Sequence, residues 1–288
     1  MIVEDARAKI NLYLHVGPLR EDGLHDLASL FVFTEKGDVV SASPSDTLTL
    51  EISGPFGDAL SAFPIEDNLV LRAAERLRDF SGIQSGAALK LQKNLPIAAG
   101  IGGGSADAAA ALRALVKLWN LTISDDALEA LAFGLGADIP ACLAGRPILV
   151  DGAGEQLSAA PNLPPLYVCL VNPGIDMPTG PVFREFDTAH VRPDAPVHPA
   201  SVLAGAIDIS ELMKQTRNDL EPPARAINPM IGDVVGFLCE RDGVLGARMS
   251  GSGATCFALF TDQQSAVDAC TLAQKKGWWA MASRLVSA

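Results

Sequence analysis

The sequence predicts an α+β protein of two domains. Some stretches alternate strictly between apolar and polar residues, and other, longer ones return an apolar residue every three or four positions. An alanine- and proline-rich interval at residues 155–165 separates two blocks of such elements, which suggests domains at 1–160 and 161–288.

Within residues 8–16, Ile10, Leu12, Leu14 and Val16 alternate with Lys9, Asn11, Tyr13 and His15, the period of a strand. Lys9 and Asn11 then share one face, either as part of a solvated surface or as a cation and an amide that meet one ligand. Arg20, Glu21, Asp22 and Gly23 have turn chemistry, and Leu24, His25, Asp26 and Leu27 lead into the apolar run Leu30 to Phe33. His25 is open to two readings, a ligand group or a surface histidine. Residues 39–53 read as strand material turned at Pro44, Ser45 and Asp46. Asp67 and Asn68 start a helix with a buried stripe of Leu69, Ala73, Ala74, Leu77 and Phe80 and a stop at Gly82. Residues 87–92 alternate again and lead directly into a glycine-rich segment.

That segment is the centre of the chain. Gly100, Gly102, Gly103 and Gly104 fall within five positions, and Ser105 then opens a stretch free of glycine and proline. Glycine lets backbone N–H groups converge, and a helix N-terminus adds a positive dipole end, so the pair makes an anion cradle. From Ser105 onward Ala108, Ala111, Leu112, Leu115, Leu118 and Trp119 line one helical arc, and Asp107, Arg113 and Lys117 are assigned to the other. A flexible linker would be polar and serine-rich, whereas Leu95, Ile97, Ala98, Ala99 and Ile101 surround these glycines. The loop has no Lys in Walker A register, and Ser105 stands where a dinucleotide fingerprint needs its third glycine.

Ser124 caps a helix through Phe133. Asp138, just before Ile139 and Pro140, either caps the following helix or takes part in chemistry. Residues 146–150 and 166–171 read as strands, and 187–199, with Pro193, Pro196 and Pro199, as an exposed loop. A helix is expected over 223–241, and apolar runs at 245–249 and 256–260 flank Ser250, Gly251, Ser252 and Gly253. This second glycine-serine loop is not a nucleophile elbow, because Arg248 occupies the first glycine position; it is either a tight turn or a loop that lies against the first loop's ligand. A helix over 263–275 and a strand over 278–285 close the chain, which has no internal repeat.

At 288 residues, 49% hydrophobic and 19% charged, the composition is that of a globular protein. A formal charge of -12, from 34 acidic against 22 basic residues, excludes nucleic acid and anionic membrane as main partners. Glu4, Asp5, Arg7 and Lys9 interrupt any leader-like apolar run, so a cytoplasmic location is expected. The five cysteines are widely spaced and set in apolar surroundings, as buried free thiols are, and His15, His25, His190 and His198 are scattered. No metal-ligand spacing results.

The segments around Lys9 to Leu12, Arg20 to His25, Leu95 to Ser105, Gly136 to Pro140, Asn172 to Gly174, Asn218 to Glu221 and Ser250 to Gly253 resemble, in order and over nearly the whole chain, the galactokinase, homoserine kinase, mevalonate kinase and phosphomevalonate kinase superfamily. Within it, the Lys9-to-His25 segment is similar to the branch that phosphorylates a cytidine diphosphate-linked methylerythritol. The resemblance implies a ribosomal protein S5 domain 2-like N-terminal domain for ATP and a ferredoxin-like C-terminal domain that completes the substrate cleft. It implies ATP and Mg²⁺, a small-molecule acceptor, and a monomer or homodimer. Lys9 and Asp138 match catalytic residues. ATP would meet Asn68, Lys93 and the run Pro96, Ile97, Ala98, Ala99, Gly100, Ile101, Gly102, Gly103, Gly104, Ser105 and Ala106. Asn11, His25, Thr179 and Phe183 match positions for the cytidylyl acceptor, while Leu24 departs from the tyrosine common in relatives. A homoserine- or phosphomevalonate-type kinase, or a non-catalytic nucleotide-binding protein on the same fold, is the alternative.

Overall fold

The computed structural model describes residues 1–189, 196–204 and 207–287. Two compact units emerge, unit 1 from Met1–Ala8, Lys36–Ile97 and Gly102–Gly145, and unit 2 from Lys9–Glu35, Ala98–Ile101 and Arg146–Ala288. Strands β1 (Ile2–Leu19) and β2 (His25–Ser45) each contribute to both. β1 is longer than the alternation at 8–16 suggests, and its polar residues Lys9, Asn11, Tyr13 and His15 are buried along with the apolar ones. Alternation tells which residues share a face, not whether that face meets water.

In unit 1, β3 (Leu48–Ser53) runs parallel to β4 (Gly86–Gln92), and β4 pairs antiparallel with the end of β2, Val39 opposite Gln92. The helices are α1 (Gly57–Leu60), α2 (Leu69–Ser81), α3 (Gly103–Leu118), α4 (Asp125–Phe133) and α5 (Ile139–Ala144). The Asn68 side chain accepts from Val70 N–H at the start of α2, and Gly82 ends it in the left-handed region at φ 66. Leu77 is the last side chain of α2 to be buried, and Phe80, expected in the stripe, is 58% exposed because the helix outruns its cover. Helix α3 packs against α2 and α5 through a face made almost wholly of alanine, which permits close approach.

Unit 2 takes in most of β1 and the first half of β2, the latter paired antiparallel with β5 (Ile148–Gly152), Leu27 opposite Gly152. β5 continues into a hairpin with β6 (Gln156–Ala159), so the interval at 155–165 holds a strand. Then come β7 (Tyr167–Asn172), β8 (Gly246–Met249), β9 (Cys256–Phe260) and β10 (Trp279–Arg284), an antiparallel sheet in the order β10-β7-β9-β8. With helices between its first and second and its third and fourth strands, this is the ferredoxin-like arrangement. Those helices are α6 (Thr179–Ala189), α7 (Ala200–Leu203), α8 (Ile209–Gln215), α9 (Glu221–Ile227) and α10 (Met230–Cys239), then α11 (Gln263–Lys275).

The single helix expected over 223–241 is two. Asn228 is extended at ψ 107, as a residue before proline prefers, and Pro229 restarts the chain as α10. Helices α6, α7 and α8 have no counterpart in the sequence reading, because short helices that pack on a sheet need only a few apolar positions. The exposed loop expected over 187–199 is helical to Ala189, and its part at 190–195, with His190 and Pro193, lies outside the described residues.

Arg248 is a fastening point of unit 2. It is buried, and its guanidinium donates to the backbone oxygens of Leu12, Met213 and Thr216 and to Thr216 Oγ1. Burial pulls its pKa down to about 10, so the cation persists at neutral pH. Arg248→Met leaves three carbonyls without these donors, each worth about 1–3 kcal/mol when buried and unmet. The urea midpoint of unfolding should therefore fall clearly, and an unchanged midpoint would refute this role.

Candidate active site

The glycine segment divides between the units. In unit 1, α3 starts at Gly103, two residues before the Ser105 expected, after Gly102 at φ 61. The first helical bond is Ala106 N–H to Gly102 O, so the N–H groups of Gly103, Gly104 and Ser105 have no acceptor within the helix. An anion at this terminus would meet those three donors and the positive end of the helix dipole.

Directly behind that terminus lies a buried charge cluster. Lys93 Nζ bridges Asp38 Oδ2 and, at 2.7 Å, Asp107 Oδ2, and all three side chains are at least 96% buried. Asp38 Oδ1 also accepts the backbone N–H groups of Asn94 and, at 2.8 Å, Leu95. Burial alone would lower the Lys93 pKa, but the carboxylates of Asp107 and Asp38 outweigh it and hold the ammonium above its ordinary value. Burial pushes the Asp107 carboxyl up to about 8, helped by Asp38 and opposed by Lys93. A Cβ added at Gly103 would stand 3.1 Å from Lys93 Nζ, so the helix start rests on the ammonium.

One sequence assignment changes here. Asp107 is not on the solvated face of α3; on a helical wheel it sits about 120° from Arg113, and that offset was the available signal. Arg113 and Lys117 pair with Glu4 instead. Lys93 turns its side chain inward, and Asp38 went unnoticed because a lone acidic residue within a strand has no pattern. Ala106 is buried on α3, and Asn68 is engaged as the cap of α2. Asp138 occupies the N-cap position of α5 in right-handed helical conformation and makes no side-chain cap hydrogen bond, which removes the capping alternative.

In unit 2, Ala98–Ile101 lies against the turn at 250–253. Gly100, at φ 72, approaches so closely that a Cβ would stand 2.5 Å from Ser250 O and 2.6 Å from Gly253 O. Ser250 Oγ donates to Gly100 O at 3.0 Å and accepts from Asn11 N–H at 3.2 Å. Thr255 N–H donates to Ala99 O and Lys9 N–H to Ile101 O. This explains the second glycine-serine motif: it is the bed on which the first one lies.

The Lys9 ammonium is buried 4.0 Å from the centroid of the Phe31 ring, a cation–π arrangement. Two residues on, Asn11 Nδ2 donates to Ser29 Oγ, which donates to Tyr13 O, and Asn11 Oδ1 has no partner. His25 starts β2, with Nδ1 at 2.9 Å from Gly17 O, Nε2 at 3.3 Å from Asp187 Oδ1, and its ring stacked on Phe183 at 5.2 Å. His25 is therefore neither a solvated surface residue nor isolated: it and Phe183 form one aromatic face. Thr179 Oγ1 pairs with Ser252 Oγ at 2.9 Å. Leu24 is 53% exposed.

Residues 68–146 match the family described as the GHMP kinases N terminal domain, and 202–275 its C terminal counterpart. The chain is 51% identical to the 4-diphosphocytidyl-2-C-methyl-D-erythritol kinase of Hyphomonas neptunium, covering 98% of this chain and 96% of that one. It is 47% identical to the enzyme of the same name from Parvibaculum lavamentivorans, over 96% of each. Among solved structures it is similar to a 4-(cytidine 5'-diphospho)-2C-methyl-D-erythritol kinase, with TM-score 0.80, 33% identity and 98% of both chains covered. A homoserine kinase from Cytophaga hutchinsonii shares the fold, with TM-score 0.73 at 20% identity.

Gly100→Ala is expected to lift the loop from its bed. Hydrogen exchange should then lose protection at the Thr255 and Lys9 amides, and retained protection at both would show that the loop does not depend on this approach.

Proposed function

The chain belongs to the family of 4-diphosphocytidyl-2-C-methyl-D-erythritol kinases within the GHMP kinases, and from that premise we infer that it transfers the γ-phosphoryl of ATP to the 2-hydroxyl of 4-(cytidine 5'-diphospho)-2-C-methyl-D-erythritol, a step in making isoprenoid precursors. The observation that carries this reading is the full-length similarity at 51% identity.

The roles of single residues are part of the proposal. The donors Gly103, Gly104 and Ser105 take the phosphates, with Gly100, Ile101 and Gly102 as the bend that turns toward them and Pro96 to Ala99 as its approach; Asn68 and Lys93 border the adenosine side. Asp138 orients the acceptor hydroxyl and takes its proton as the oxygen attacks the γ-phosphorus and ADP leaves. The Lys9 ammonium offsets charge on the phosphoryl oxygens. His25 and Phe183 take the cytosine, and Asn11 and Thr179 the rest of the acceptor.

The three N–H donors at the start of α3 suit phosphate rather than a cation. Mg²⁺ would thus arrive on phosphate oxygens, and Asp138 is the carboxylate that would share it. Bound there, it would neutralise charge on the β- and γ-phosphates. We assign residues 1–160 to ATP binding and 161–288 to completing the acceptor site, a functional division distinct from the compact units. The reaction is placed in the cytoplasm, with the chain acting as a monomer or homodimer.

Transfer of label from γ-labelled ATP to the cytidylyl-methylerythritol acceptor tests the activity; no transfer to it, with transfer to homoserine or phosphomevalonate, would overturn the acceptor. Asp138→Asn should lower kcat by about 10²–10⁴-fold while ATP still binds, and near-normal turnover would remove Asp138 from the mechanism. Leu24→Tyr adds an aromatic contact worth about 1 kcal/mol beside the cytosine. The KM for the acceptor should drop about fivefold, and equal values would sink the idea.

A further inference from the structure

Three ionisable side chains, Asp38, Lys93 and Asp107, are buried behind the N-terminus of α3, and the mechanism above uses none of their charges. We propose that Asp107 is a positioning residue for ATP, holding the phosphate-binding start of α3 through Lys93 and taking up a proton when the triphosphate binds. The proposal rests on the kinase reading.

The geometry supports both halves. One ammonium joins β2 through Asp38, the end of β4 through its own backbone, and the second turn of α3 through Asp107. Asp38 also fixes the Asn94 and Leu95 amides, so the chain entering the glycine segment and the helix leaving it are tied to one point. With Gly103 stacked on the ammonium, a shift of Asp107 would be felt by the three N–H donors at once.

The charges do not balance. Two carboxylates against one ammonium leave a net charge of -1 when all are ionised, facing a site meant for a polyanion. Asp107 Oδ1 is buried with no hydrogen-bond partner, an open position for a proton. Burial has already brought this carboxyl up to about 8, where a nearby negative charge can protonate it. The charged groups that act on Asp107 are Lys93 from the end of β4 and Asp38 from β2. The faces of α2 and α5 packed on α3 are apolar apart from the Cys142 thiol, and on α3 itself Arg113 and Lys117 are occupied with Glu4.

The sign follows. Below about pH 8 Asp107 is neutral, the cluster carries no net charge, and ATP binds at full strength. As pH rises through 8 the carboxylate forms and repels the phosphates, so affinity falls.

The test is the dissociation constant of MgATP for the intact protein by calorimetry from pH 6.5 to 9, in two buffers of different ionisation enthalpy. The wild type should weaken about three- to tenfold between pH 7 and 9. It should also take up a fraction of a proton per ATP near pH 8, where free ATP no longer titrates. Asp107→Asn, a neutral isostere, should bind at a constant strength close to the wild type's at low pH, with no proton uptake and little change in Tm. A group that served stability alone would move Tm and leave the pH slope in place. Flat binding without proton uptake in the wild type would overturn the inference whether or not the variant folds. A failure to bind MgATP at any pH would overturn the kinase reading, and this inference with it.

Discussion

The Lys93 ammonium is the constraint on which the glycine segment depends. Three stretches of unit 1, distant in sequence, meet at one buried nitrogen. A buried cation is costly to desolvate and persists only when partners and hydrogen bonds compensate it. Here the compensation is structural in effect: Asp38 and Asp107 both accept from the cation, and Asp38 also holds two backbone amides. Removing any one member would strand the others, so the cluster specifies a single arrangement of the loop's approach and of the helix that follows it.

Unit 2 sets the other part of that segment by close packing rather than charge. Gly100 meets the 250–253 turn backbone to backbone, at a separation no side chain could share. Ser250 then couples the loop to β1 with one hydroxyl, as donor to Gly100 and acceptor from Asn11. The glycines thus serve two needs, a left-handed backbone at Gly100 and Gly102 and room for another chain at Gly100.

A protein of net charge -12 that handles a nucleoside triphosphate has to build attraction locally. On the reading proposed above, backbone donors and a helix dipole would supply it without adding surface cations. The two lysines concerned are both buried, one against an aromatic ring and one between carboxylates. Their charges are therefore fixed in place and weakly screened, which suits a reaction that rests on positioning.

Much was legible in the chain itself. Periodicity placed α2, α4, α11 and most strands within a residue or two, because apolar spacing and caps such as Asn68, Gly82 and Ser124 are local signals. The glycine-rich run and the short segments around Lys9 and Asp138 marked the family, since each motif is written in adjacent residues. What sequence could not reveal was which polar residues are buried: Asp107 looked solvated, Asp38 carried no signal, and the second glycine-serine turn read either as a tight turn or as a loop against the first loop's ligand. The short helices after β7 and the break at Pro229 were settled by packing on the sheet. Local order follows from backbone preference and side-chain spacing, which the chain carries residue by residue. Burial and charge pairing arise only when remote segments share one volume, and the folded molecule alone decides which of them do.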